Sequence, residues 1–234
     1  MFKRIREFLR GESLLDESYN ETLDVLGTLQ GMVTESIGSL RQTDTTMPDD
    51  RVFELDRQIN KYQRRTRRRI LTHVSVSPST DINASLVLAS IIIDVERIGD
   101  YAKNIVELAR AHKQRLTAEL HEEALSDLEQ RVLAGLVDVR RALEDSDIEM
   151  ARTYVKTHRK YTRLADAVVN GLISGENDLP KGTSVTLALY TRYLKRIESH
   201  LVNIVSSVVN PFHRIGFRLK DKSSKAAAES SKKS

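Results

Sequence analysis

Along residues 91–109, apolar side chains return at alternating intervals of four and three: Ile91, Val95, Ile98, Ala102, Ile105 and Ala109. That spacing is the seam of an amphipathic helix packed in a bundle. The same periodicity marks Ile59, Tyr62, Thr66 and Ile70 as core positions of an earlier helix, with arginines around them. Breakers divide the chain into six such pieces. Helices are predicted over about 13–42, 50–74, 81–113, 117–143, 147–173 and 183–210, with Asp81 as the N-cap of the third. The polar stretch around Pro48, the Ser75–Ser79 segment with Pro78, the acidic turn 144–147, the Asn177–Pro180 loop and Asn210–Pro211 separate or end them. Each piece is about 40 Å long at 1.5 Å per residue. Short connections make neighbouring helices antiparallel.

The pattern of six has an internal period. Sliding the third helix by 99 positions onto the sixth matches Ser85 with Ser184, Leu88 with Leu187, Ala89 with Ala188 and Arg97 with Arg196. Further on, Ile98 meets Ile197, Asn104 meets Asn203, Ile105 meets Ile204 and Val106 meets Val205. The predicted class is therefore all-α, a tandem duplication of a three-helix unit, with repeats at 13–115 and 116–210. Residues 1–12 form a short amphipathic segment with Phe2, Ile5, Phe8 and Leu9 on one side. Residues 211–234 form a basic tail whose Lys/Ser/Ala-rich end, from Lys220, carries too little apolar surface to order.

Composition narrows the function classes. The chain has no cysteine, which removes disulfides, thiolate metal sites and cysteine nucleophiles. No run of about 18 apolar residues suggests a membrane span, and the N-terminus has no apolar core of a secretory signal, so the expected location is the cytoplasm. The net charge is +4, but the tail from Pro211 holds seven Lys/Arg and two acids. The body is then nearly neutral as a whole, which argues against nucleic acid as a partner. The basic tail reads as a plain solubilising tail or, with the N-terminal segment, as a weak peripheral contact with the inner face of an anionic membrane. The six histidines show no HExxH or ExxH pairing, and no GxGxxG, P-loop or GxSxG motif occurs, so no enzyme is expected.

Chemistry concentrates beside the helix-three seam. Glu96 and Asp100 stand four apart and place two carboxylates within about 6 Å, at a repulsive cost of a few tenths of a kcal/mol unless a cation intervenes. With oxygens from a facing helix, this pair suits iron, manganese, magnesium or zinc. The same spacing also describes a solvated acidic strip balanced by Arg97 and Lys103, and spacing alone leaves both readings open. The densest basic run, Arg64, Arg65, Arg67, Arg68 and Arg69, reads as a solvated or internally paired face, or as contact with an acidic partner.

The run Asp94-Val95-Glu96-Arg97-Ile98-Gly99-Asp100-Tyr101-Ala102-Lys103-Asn104-Ile105 resembles the signature helix of the PhoU family, and the element order resembles that family from about Ser13 to Asn210. The resemblance implies a six-helix double bundle that regulates phosphate uptake and phosphate-starvation signalling through a membrane phosphate transporter, a phosphate-sensing histidine kinase, or both. It also implies a metal site joining Glu96 and Asp100 to Asp56 and Asn60 of the second helix, Asn60 being a weaker, neutral ligand. In the second repeat Lys195 and Ser199 replace the acids, with His158 and Thr162 opposite. That site is expected to be lost, leaving at most one metal per chain with Lys195 in the vacated place. The competing reading is a metal-binding structural or storage module. Whether the chain pairs with a second copy is left open.

Overall fold

The computed structural model describes residues 14–42, 50–76, 81–175, 178–217 and 219. The expectations for the N-terminal segment and for the Lys/Ser tail lie outside these residues. Six helices follow one another: α1 (Leu14–Arg41), α2 (Arg51–Val76), α3 (Ile82–Ala111), α4 (Glu122–Glu144), α5 (Ile148–Ser174) and α6 (Lys181–Val209), and no strand occurs among the described residues. Single 3-10 turns at Glu119–His121 and Phe212–Arg214 complete the chain.

The ends of these helices follow local chemistry. Asp147 caps α5 by accepting from the backbone N–H of Glu149 and Met150, each at 3.0 Å. Gly175, at φ 76°, closes the same helix in the left-handed conformation that an L side chain resists. Asp81 departs from the expected cap: its backbone is left-handed, at φ 59°, and its side chain makes no cap bond. The extended backbone that lets an N-cap carboxylate reach the second or third amide is absent there. Helix α6 begins at Lys181, directly after Pro180, because proline's fixed φ suits a helix entry.

Within each repeat the second helix lies outermost. Helix α2 packs on α1 and α3, and α5 packs on α4 and α6, while α3 against α6 and α1 against α4 join the two units. All six seam residues of α3 are buried, as are Leu187, Leu194, Ile197, Leu201 and Ile204 on α6. A buried Arg41, at the end of α1, ties the junction: it donates to Glu129 at 2.8 Å and also to Glu122 and the Leu116 carbonyl. Tyr190 of α6 donates to the same Glu129 at 2.8 Å.

The α3–α6 contact carries the duplication into three dimensions. Tyr101 stacks on His200 with ring centroids 5.7 Å apart, and those two residues are equivalent under the 99-residue shift. Tyr101 also meets Tyr193 at 5.7 Å, while Asp94 meets His200 at 2.7 Å. Subtracting 99 from the tyrosine pair's second member, and adding it to the first, turns one contact into the other. The partner number falls as the residue number rises, from Asp94–Asn203 to Tyr101–Arg196, so the helices run antiparallel. The two repeats thus face each other across a local twofold, with different side chains at equivalent places.

Candidate functional site

Helices α2 and α3 bring three of the four predicted ligands to one face. Asp56, buried on the inner side of α2, shares the Lys103 ammonium with Asp100 of α3, at 3.2 Å to each carboxylate. Arg97 approaches Asp100 at 3.1 Å and Glu96 at 3.6 Å. Burial disfavours the charge on Lys103, but the two carboxylates outweigh it and raise its pKa. Glu96 is also pushed up, first by burial, then by the like charge of Asp100 and more weakly by Asp56, with Arg97 and Arg67 opposing. Asn60 does not join the acids through its side chain: its amide donates to the Asp56 backbone carbonyl at 3.0 Å.

The position between Asp56 and Asp100 is therefore held by an ammonium. A divalent ion there would meet the Lys103 charge at close range, and among the described residues no group of three or more His, Asp or Glu is arranged to hold a metal. As built, the donor set fits lysine and not a metal ion. The sequence reading reserved that role for Lys195 in the second repeat, whereas the first repeat already has its own internal cation.

The second repeat is organised differently from the expected vacated site. Lys195 reaches across to Asp166 of α5 at 2.5 Å, and Ser199 turns its hydroxyl onto the Lys195 carbonyl at 2.8 Å. His158 lies 3.4 Å from Thr162 but points its other ring nitrogen at Glu198. Glu198, at 2% exposure, is held by Arg131 at 3.1 Å, and Arg131 in turn lies 3.5 Å over the Tyr154 ring. This Arg131–Glu198–His158 group is a buried, hydrogen-bonded ion cluster. Gly135 makes room for it, because a β-carbon there would sit 2.1 Å from the Tyr154 hydroxyl.

The basic run of α2 splits by direction. Arg65 and Arg69 turn inward to α1, where Arg65 donates to Glu21 at 3.3 Å and Arg69 donates to Glu21 at 2.8 Å. Arg69 also pairs with Glu17 at 3.4 Å. Arg64, Arg67 and Arg68 are exposed and make no ion pair among the described residues. The internally paired reading holds for two of the five arginines.

Sequence reasoning missed Asp94, His200, Arg131 and Glu198. Asp94 accepts from Asn203 at 2.9 Å and contacts His200 between the repeats, where it is buried. A signal existed for two of them. Asp94 falls between the seam positions Ile91 and Ile98, and Glu198 stands in the repeat where the first unit has Gly99.

Comparison with known proteins agrees with this architecture. Residues 22–109 match the family model described as the PhoU domain. An uncharacterised protein of Deinococcus radiodurans is 26% identical over 203 residues, covering 84% of this chain and 90% of the relative. The crystal structure of PhoU from Pseudomonas aeruginosa matches with a TM-score of 0.75 at 19% identity, over 84% of this chain and 95% of that one. The phosphate transport system regulatory protein PhoU from Streptococcus pneumoniae gives 0.73 at 17% identity, over 83% and 93%.

Proposed function

We propose that this chain, whose residues 22–109 match the PhoU domain model and whose body shares the fold of solved PhoU structures, is a regulatory adaptor of phosphate uptake and of phosphate-starvation signalling. The observation that carries the reading is the match of residues 22–109, most of the first repeat, to the PhoU domain model. The adaptor would act by contact with a membrane phosphate transporter, a phosphate-sensing histidine kinase, or both. Rigid helices with long outer faces support such a role, because helix faces are common recognition surfaces. No helix among the described residues is long and apolar enough to cross a membrane, and the proposed contact with a transporter is a peripheral one.

The alternative, a metal-storage or metal-structured module, is less well supported, because Lys103 sits between the two carboxylates that a metal would need. The adaptor reading is tested by deleting the gene and following radiolabelled phosphate uptake together with a phosphate-starvation reporter. A shift in either set point at high phosphate supports it. Unchanged uptake and unchanged reporter activity overturn it.

A further inference from the structure

The outward side of α2 is a row of cations. Arg57, Lys61, Arg64 and Arg68 follow a four-three-four spacing, so they stand in one line about 16 Å long, and all four are exposed. None of them forms an ion pair among the described residues, although α2 carries eight Lys/Arg against two acids. Like charges at such spacing cost a few tenths of a kcal/mol per pair. The neighbouring arginines show that acids were to hand: Arg65 and Arg69 take Glu21 and Glu17 on the inward side, and nothing equivalent serves the outer row.

Two further features say what the row faces. The same line continues into Leu71, three residues past Arg68, and that leucine is 68% exposed. The second repeat carries a related row. Laying Asp56 on His158 puts Arg57 on Arg159, Lys61 on Arg163 and Leu71 on Ile173, which is 77% exposed, whereas Arg64 and Arg68 fall on Asp166 and Asn170. Lys156, Arg159 and Arg163 are likewise exposed and form no ion pair among the described residues. The duplicated units differ in carboxylate chemistry at the α3 and α6 positions, yet each keeps exposed cations at the Arg57 and Lys61 positions and an exposed aliphatic at the Leu71 position.

We propose that the outer face of α2 is a docking surface for an anionic lipid membrane, with Arg57, Lys61, Arg64 and Arg68 on the headgroups and Leu71 entering the interface. Charge complementarity selects an anionic partner. The exposed leucine in line with the cations selects lipid, since an aliphatic side chain gains by leaving water at the headgroup boundary and has no use against a phosphodiester chain. The row lies on a convex helix ridge, which meets a flat charged sheet along its length. The inference goes beyond the phosphate-regulator reading and is independent of it, because lipid binding is read directly.

The test is sedimentation of the full chain with vesicles of phosphatidylcholine alone or mixed with phosphatidylglycerol. The expected result is binding to the mixed vesicles only, weakened by salt. Replacing Arg57, Lys61, Arg64 and Arg68 together with Gln should lower the partition coefficient by roughly several hundred-fold, since each basic residue near such a surface contributes about fivefold. Leu71→Ser should weaken binding while leaving its salt dependence intact. These positions are exposed, and an unchanged circular dichroism melt will show that the fold is kept. The quadruple variant retains both basic termini, so undiminished vesicle binding by it overturns the proposal. Absence of binding by the wild type, or tighter retention of duplex DNA or of an acidic polypeptide than of the mixed vesicles, overturns it too.

Discussion

Replacing Lys103 with methionine isolates the claim that an ammonium occupies the cation position of the first repeat. Methionine keeps most of the aliphatic stem, so the change removes mainly the charge. Lys103 makes two charge-assisted contacts of 3.2 Å, to Asp56 with 11% side-chain exposure and to Asp100 with 24%. Such bonds contribute about 1.5–3 kcal/mol each when dry, and partial solvent access reduces the pair to about 1–2 kcal/mol in total. For a domain of this size the loss should lower the melting temperature by about 3–6 °C. The variant would leave Asp56, Glu96 and Asp100 with only the exposed Arg97 beside them, and a divalent ion should then stabilise what it did not stabilise before. Manganese or zinc at about a hundred times its dissociation constant would return about 2.7 kcal/mol. Differential scanning calorimetry of both proteins, with chelator and with each metal, reads both effects. Wild-type protein stabilised by metal as strongly as the variant would refute the reasoning, as would a Lys103→Met protein whose melt neither falls nor responds to any ion.

Other perturbations bear on neighbouring groups. Glu96 has a pKa raised by burial and by Asp100, and a carboxyl more basic when folded than unfolded weakens the fold as pH climbs between the two values. Glu96→Gln should therefore raise the melting temperature at neutral pH, with the gain vanishing below about pH 4, where the carboxyl is protonated in both states. Arg131→Met leaves the buried Glu198 charge with His158 alone and should cost about 3–5 kcal/mol in chemical denaturation, whereas Arg131→Met with Glu198→Leu should recover most of it. Gly135→Ala should cost about 1–3 kcal/mol, because the Tyr154 ring, pinned under Arg131, has little room to retreat from the new methyl. A change below about half a kcal/mol would show that the ring moves freely.

The helices and their order were legible because apolar spacing on α3 and α6 is unbroken, and an apolar period of 3.6 residues matches the helical repeat and not the two-residue repeat of a strand. The duplication was legible in the eight identities between residues 85–106 and 184–205, and the structure places those stretches in equivalent helices. Glu96 and Asp100 are legible as neighbours from their four-residue spacing, whereas Asp56 joins them only through the family resemblance, and nothing in the spacing puts a lysine between Asp56 and Asp100. In the sequence Lys103 reads only as a charge balancing its own helix, and it is the packing of α2 against α3 that brings Asp56 to it. Asp94 and Glu198 are hard to read from the sequence because an apolar period is silent about its polar members, and a charge at a buried position makes sense only once its partner on another helix is known. Asp81 shows the limit of residue preference at helix starts: the right side chain stands at the right place, and a left-handed backbone takes it out of reach.

The local twofold between the repeats has a consequence for assembly. If two copies of the first half met through this surface, Tyr101 would face Tyr101, and Asp94 would confront that phenol ring in place of its imidazole. The present halves are keyed: Asp94 has its His200, and Tyr101 has its Tyr193, only when unlike units meet. Divergence after duplication has thus turned a self-complementary surface into a lock that accepts one mate, and that mate is supplied by the same polypeptide. A copy of the first half in place of the second would bury Asp94 against Tyr101, and a copy of the second in place of the first would set His200 against His200 with no carboxylate beside it.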